Sequence, residues 1–232
     1  MRTIRVITAG LAAVSFVAGA VAQELETPED RLSYTVGMDI GQSLADQDLE
    51  LDIDLLVEAL RATYAGEETR LTREEALAER DAFMQRRQQE MEEQRNLDAT
   101  RNLEEGQAFL AQNREREGIM ETESGLQYRV LEEGEGASPA ASDTVTVHYR
   151  GTLINGTEFD SSYARGEPAT FALNQVIPGW TEGLQLMKEG AKYEFFIPSD
   201  LAYGEQGRPG PIGPNSTLVF EVELIEVQQR EG

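Results

Sequence analysis

Few residues in this chain have the types and spacing that chemistry needs. There is one histidine, His148, and no cysteine, which excludes disulfide frameworks and cysteine nucleophiles and leaves almost no room for Cys/His zinc sites. His148 could serve as a base, but it stands in the alternating run Val145-Thr146-Val147-His148-Tyr149 and no G-x-S-x-G elbow accompanies it. A structural or surface place on a strand is the better reading. Acids alternate at Asp46, Asp48, Glu50, Asp52 and Asp54, which invites a calcium loop. Counted from Asp46, the positions where an EF-hand wants Gly and Glu hold Leu51 and Val57, so a solvated loop between helices accounts for them. Neither a metal nor a cofactor is expected.

The conspicuous placement is apolar. Asn174 to Met187, NQVIPGWTEGLQLM, contains the only tryptophan, directly behind Pro178-Gly179. A short helix is predicted near Ile177 to Lys188, with Pro178 tolerated in its first turn because the missing amide would be unpaired there, and Gly190 closing it. Val176, Trp180, Leu184 and Met187 then share one face. Periodicity makes Trp180 a core anchor. At the helix start it also sits at the core's edge, where one indole face could form the floor of a pocket.

The elements that must position these residues fall into two textures. From Gln23 to about Gly118 the chain reads as helical, without proline between Pro28 and Pro139. Pro28-Glu29-Asp30 opens a helix with Leu32, Val36, Ile40 and Leu44 on one face, and Ile53, Leu56, Val57 and Leu60 repeat the pattern in a second, closed by Gly66. Two such helices bury little by themselves and need a partner surface, for which a second copy of the chain is the simplest candidate. A third helix opens at the capping box Thr72-Arg73-Glu74-Glu75 and runs to about Glu117, some 65 to 70 Å if unbroken. Its apolar positions Leu77, Met84, Met91, Leu97, Leu103 and Leu110 are sparse, with only Gly106 interrupting good helix formers, and predict a mostly solvated spacer packed only at its ends.

After Gly118, short alternating segments punctuated by Gly and Pro predict an antiparallel sheet: Leu126 to Leu131, Val145 through Leu153 into the hairpin signal Asn155-Gly156, Tyr193 to Ile197, and Leu218 to Leu224. The fold class is α+β: an N-terminal all-helical segment with a long connecting helix, then a bent antiparallel sheet wrapped around one short helix. The expected organisation is 1–22, 23–70, 71–118 and 119–232. The first of these, with Arg2 and Arg5 before an apolar run from Val6 and Ala20-Val21-Ala22 at its end, reads as a signal peptide cut after Ala22. With no further apolar span, the mature chain is expected to be free of the membrane.

The strings VTVHYRGTLINGTEFDSS, QVIPGWTEGLQLMKEGAKYEFFIPSDLAYG and STLVFEVELIEV resemble the FKBP-type peptidyl-prolyl cis-trans isomerase domain across 119–232, in order. The helical segment before them is similar to that of periplasmic and surface bacterial members of the macrophage infectivity potentiator type, which are V-shaped dimers. The resemblance implies a pocket walled by Tyr149, Phe159, Val176, Ile177, Tyr203 and Phe220, with Trp180 as floor for a prolyl ring. It implies Asp160 as a buried carboxylate beside the pocket, Arg165 as its basic partner, and Phe171 and Ile212 in support, Ile212 on the flap after Tyr203. The Ile177 amide and the Tyr203 hydroxyl would hold substrate carbonyls. Ala169 stands where many eukaryotic members carry an aromatic, and Gly213 precedes Pro214 where Pro-Pro is common, so one wall is expected to be thinner and the flap looser.

Implied partners are proline-containing unfolded or nascent exported polypeptides, macrolide inhibitors, and a second copy of the chain through 23–118. The implied place is the periplasm, with the cell surface as the alternative. The rival function is a chaperone holding unfolded chains in the cleft of a dimer, with isomerisation secondary. A catalytically dead scaffold would show polar replacements in the pocket, and Tyr149, Phe159, Asp160, Trp180 and Tyr203 are all present. Composition agrees on one exclusion. With 43 Asp and Glu against 20 Lys and Arg, a net charge of -23 repels phosphate backbones, so nucleic acid is not an expected partner.

Overall fold

The computed structural model describes residues 25–47 and 49–229. The expected signal peptide and its cleavage after Ala22 lie outside them. The chain divides into two compact units, one up to Thr72 and one from Arg73 onward.

In the first unit, α1 (Pro28–Ala45) starts where the sequence places it. Thr27 and Asp30 form a reciprocal capping box: the Asp30 N–H donates to the Thr27 hydroxyl at 3.1 Å and the Thr27 N–H to the Asp30 carboxylate at 3.0 Å. Helix α2 (Ile53–Ala65) is capped by Asp52, which accepts from the N–H groups of Asp54 and Leu55, and ends at Gly66. Neither helix buries a residue. Leu32 is 64% exposed and Ile53 58%.

The second unit begins with α3 (Arg73–Asn113), an unbroken helix of 41 residues. The strands that follow are β1 (Ile119–Glu121), β2 (Gln127–Glu132), β3 (Thr144–Leu153), β4 (Glu158–Ser161), β5 (Ala169–Ala172), β6 (Lys192–Ile197) and β7 (Leu218–Gln228). They form one antiparallel sheet in the order β1-β2-β6-β7-β3-β4, with β5 also pairing β3. Two short helices are inserted, α4 (Ser162–Arg165) and α5 (Pro178–Gln185). The hairpin from β3 to β4 turns at Asn155-Gly156 as expected, with Gly156 at φ 86°.

Period-two alternation explains the core. On β3, Val145, Val147 and Tyr149 are buried, as are Leu218, Phe220, Val222 and Leu224 on β7 and Tyr193, Phe195 and Ile197 on β6. Helix α5 lies on this face through Trp180 and Leu184, with Met187 just beyond its end. Val176 departs from the expected helical face. It precedes α5 in extended backbone, because the chain enters the helix only at Pro178.

Helix α3 is packed more extensively than its apolar pattern predicts. Leu97 and Leu103 stay exposed, while Asn102, Gly106, Phe109 and Asn113, spaced four, three and four, face the sheet domain. A Cβ on Gly106 would stand 2.3 Å from the Thr217 hydroxyl, so glycine is what lets the helix approach. Phe109 packs on Phe196 at 5.9 Å between ring centroids, and buried Asn113 donates to the Gln127 side chain at 2.9 Å. Apart from Phe109 the contact face is polar and small, which a search for apolar periodicity overlooks.

Candidate active site

Nine of the residues singled out in the sequence line one cavity of about 400 Å³: Tyr149, Phe159, Asp160, Phe171, Val176, Ile177, Trp180, Tyr203 and Phe220. They come from six places in the chain. Tyr149 and Phe220 are on the central strands β3 and β7, Phe159 and Asp160 on β4, and Phe171 on β5. Val176 and Ile177 form the entry to α5, Trp180 its first turn, and Tyr203 follows the turn Ser199–Leu201. Gly151 makes room on β3, since a Cβ there would meet the Phe159 ring at 2.6 Å and the Phe220 ring at 2.7 Å.

Trp180 is held from three sides by rings standing on edge. Tyr149 and Phe220 lie 5.2 Å away between centroids and Phe171 5.4 Å, at interplanar angles of 88°, 77° and 90°. Such edge-to-face contacts match the positive rim of one ring to the negative face of another and fix the indole more tightly than area burial alone. The indole is 5% exposed and its N–H is buried without a hydrogen-bond partner among the described residues, so the cavity floor presents no polar group of its own.

One polar network borders this apolar space. The Tyr149 hydroxyl donates to Asp160 at 2.6 Å, and Arg165 donates to the same carboxylate and, at 3.0 Å, to the Tyr149 oxygen. Asp160 is half-buried rather than buried, and its carboxylate is at the cavity rim. Burial alone would push the Asp160 carboxyl up, but hydrogen bonds from Tyr149 and Arg165 and the guanidinium's charge outweigh it and hold the pKa below the ordinary value. Burial and the bond to Asp160 push the Tyr149 phenol up. At neutral pH the pair is therefore a phenol donating to a carboxylate.

The local sequence explains how Arg165 gets there. Helix α4 is capped by Ser161, whose hydroxyl accepts from the Ala164 N–H, and buried Ser162 accepts from the Tyr149 N–H at 2.8 Å, tying the helix to β3. One turn later Arg165 lies across the Tyr149 ring, its guanidinium carbon 5.4 Å from the centroid.

Ile212 and His148 are elsewhere. Ile212 is buried in the core, where its carbonyl accepts from the Arg208 N–H at 2.8 Å. His148 lies on the opposite face of β3 from Tyr149, stacked on Tyr163 at 4.7 Å with Nδ1 3.0 Å from the Ser162 hydroxyl. It has no place in the cavity. Two lining residues were not anticipated: Gln175 and Arg208. Arg208 donates to the Tyr203 hydroxyl at 3.3 Å from a loop that returns to the cavity mouth, and only that return brings it there.

The base of the flap, expected to be looser because of Gly213, is hydrogen-bonded to α3. Gly213 leaves space that the Asn102 side chain of α3 takes, and Asn102 donates to the Pro214 carbonyl at 2.8 Å. Asn215 in turn donates to the Ala99 carbonyl at 3.3 Å.

Comparison with known proteins bears on the family and the fold. The family model for FKBP-type peptidyl-prolyl cis-trans isomerase matches residues 135–225, and that for the domain amino terminal to FKBP-type peptidyl-prolyl isomerase matches 29–130. The chain is 50% identical over 198 residues to a probable FKBP-type peptidyl-prolyl cis-trans isomerase FkpA of Neisseria meningitidis, covering 84% of this chain and 73% of that one. It is 42% identical to the outer membrane protein MIP of Legionella longbeachae, covering 99% and 98%. The crystal structure of FkpA from Escherichia coli superposes with a TM-score of 0.73 at 38% identity, over 88% of this chain and 99% of that one.

Proposed function

This chain belongs to the FKBP-type peptidyl-prolyl cis-trans isomerase family, and we propose that its aromatic cavity is where a prolyl ring is received and the preceding imide bond is turned. The observation that carries this reading is the edge-to-face cage around Trp180 in a cavity lined mainly by aromatic and aliphatic side chains.

The chemistry fits an apolar site. Resonance gives the imide C–N bond partial double-bond character, a charge-separated ground state and a rotation barrier of about 18 to 20 kcal/mol. A dry aromatic pocket disfavours that polarity. The twisted state localises the nitrogen lone pair and loses less on leaving water, so the pocket binds it in preference to either planar isomer. An acceleration of 10³ to 10⁶ needs about 4 to 8 kcal/mol of such selection. The Ile177 N–H and the Tyr203 hydroxyl are suited to hold the flanking carbonyls, while the Asp160 network fixes Tyr149 against the floor. No covalent step is required.

Export and dimer formation belong to the same proposal. The leader-like residues 1–22 direct the chain out of the cytoplasm, which suits a folding helper for exported chains, because X-Pro isomerisation is slow enough to limit folding. Among the described residues no helix is long and apolar enough to cross a membrane. The exposed apolar residues of α1 and α2 are suited to a second copy of the chain, as is the match of 29–130 to the amino-terminal domain model.

The test is cis-to-trans isomerisation of a short Leu-Pro peptide by the mature chain and its Tyr203→Ala and Asp160→Ala variants. Acceleration by the parent, reduced at least about tenfold in Asp160→Ala through loss of its charged hydrogen bonds, is the expected result. A folded parent that leaves the rate unchanged would sink the proposal.

A further inference from the structure

We infer that Arg208 makes the cavity mouth selective for chains carrying an acidic side chain within two residues of the proline; this rests on the reading of the cavity as a prolyl site. Among the described residues only two charged ones line the cavity, Asp160 and Arg208, and they are not equivalent. Asp160 is matched by Arg165, whose guanidinium it accepts from. Arg208 has no such match. Among the described residues no carboxylate pairs with it; its guanidinium donates to the neutral Tyr203 hydroxyl at 3.3 Å and stands 5.7 Å over that ring. The mouth therefore carries a positive charge that no carboxylate of the described residues meets at ion-pair distance, in a chain whose net charge is -23.

The charge sits on an anchored loop, so its place relative to the floor is set. The Arg208 N–H donates to the Ile212 carbonyl at 2.8 Å, and Ile212 is buried. At the loop's base Asn215, with φ 55°, donates its N–H to the Gly204 carbonyl at 2.8 Å, and Asn102 of α3 donates to Pro214. An extended peptide with its proline on Trp180 must pass Tyr203, and the guanidinium beside that hydroxyl is within reach of side chains close to the proline. An acid there gains a charge-assisted hydrogen bond, whereas a lysine meets repulsion. Elsewhere the acidic body repels acidic chains, so the preference is local and carried by one side chain.

The experiment measures kcat/KM for two proline peptides that differ only in a Glu or Gln beside the Leu-Pro pair, using the mature chain and its Arg208→Lys, Arg208→Gln and Arg208→Glu variants. The readout is the ratio of the two peptides within each protein, which cancels any general change in activity. The Glu-to-Gln ratio is expected to fall about two- to fivefold in Arg208→Gln, further in Arg208→Glu, and to be largely kept in Arg208→Lys. The differences should shrink in 1 M salt, where screening acts over about 3 Å. A ratio that is the same in the parent and in Arg208→Glu overturns the inference while leaving the prolyl reading intact. A parent that accelerates neither peptide overturns both.

Discussion

At Asp160 two donors converge on one carboxylate, and the direction of its titration follows. Its pKa in the fold lies below the ordinary value of 3.8, so the network's stabilisation is complete above about pH 5 and is lost as pH falls through that value toward the lowered one. The Tyr149 phenol is shifted the other way, above its ordinary value of 10.0, and stays a donor across the neutral range. Turnover should be level from about pH 6 to 9, since neither group titrates there. Asp160→Asn should cost stability at neutral pH, and its deficit relative to the parent should close as pH drops below about 4; denaturant midpoints of the two proteins at several pH values check this. A deficit that did not change with pH would mean the carboxylate acts by shape rather than charge. The aromatic wall and Asp160 were legible because their types and order are packed into short strings. Arg208 and Gln175 were not, since what brings Arg208 to the mouth is a backbone return between Gly204 and Asn215 that spacing does not reveal.

Helix α3 shows what periodicity reads well and what it misses. Its existence and length follow from residue propensity and the absence of proline, and the strands of the sheet follow equally well from alternation. Its packing does not, because beside Phe109 the face against the sheet domain uses Asn102, Gly106 and Asn113, whose contribution is close approach and hydrogen bonding rather than apolar area. Gly106→Ala should be destabilising although alanine is the better helix former: a gain of about 1 kcal/mol in propensity is outweighed by a Cβ driven against Thr217. Against a typical overpacking cost of about 1 to 3 kcal/mol, that gain leaves a net loss of up to about 2 kcal/mol in unfolding free energy, read as a lower urea midpoint. Asn102→Ala, which releases the Pro214 carbonyl, should instead act mainly on KM for peptides long enough to touch the flap, with kcat for the shortest peptides little changed. An equal effect on both would place Asn102 in general stability only. A fragment beginning at Arg95 should fold better than one beginning at Ile119, because the latter strips Phe196 of Phe109 and Gln127 of its partners Asn113 and Leu110.

The molecule joins a well-buried catalytic unit to a helical one in which no described residue is buried, and that imbalance needs an explanation. In the first unit Leu32, Val36 and Ile40 repeat along α1 and Ile53, Val57 and Leu60 along α2, all exposed in the single chain. Apolar faces of this kind are rare on a monomer and mark a surface that meets a partner. We expect the mature chain to be a dimer by sedimentation equilibrium at micromolar concentration, and Val36→Glu together with Leu60→Glu to weaken association by tenfold or more, since each buries a charge in an apolar seam and tenfold corresponds to about 1.4 kcal/mol. Turnover of a short peptide should survive that change, because every described residue lining the cavity belongs to the second unit. Refolding of a proline-limited protein client is the more demanding readout. A dissociated chain that turns over peptides normally but loses its effect on the client would assign client holding to the helical unit, and equal performance on both would confine function to the cavity. A wild-type chain that sediments as a monomer would remove the dimer, and the exposed faces of α1 and α2 would then have to be the surface that meets unfolded clients directly.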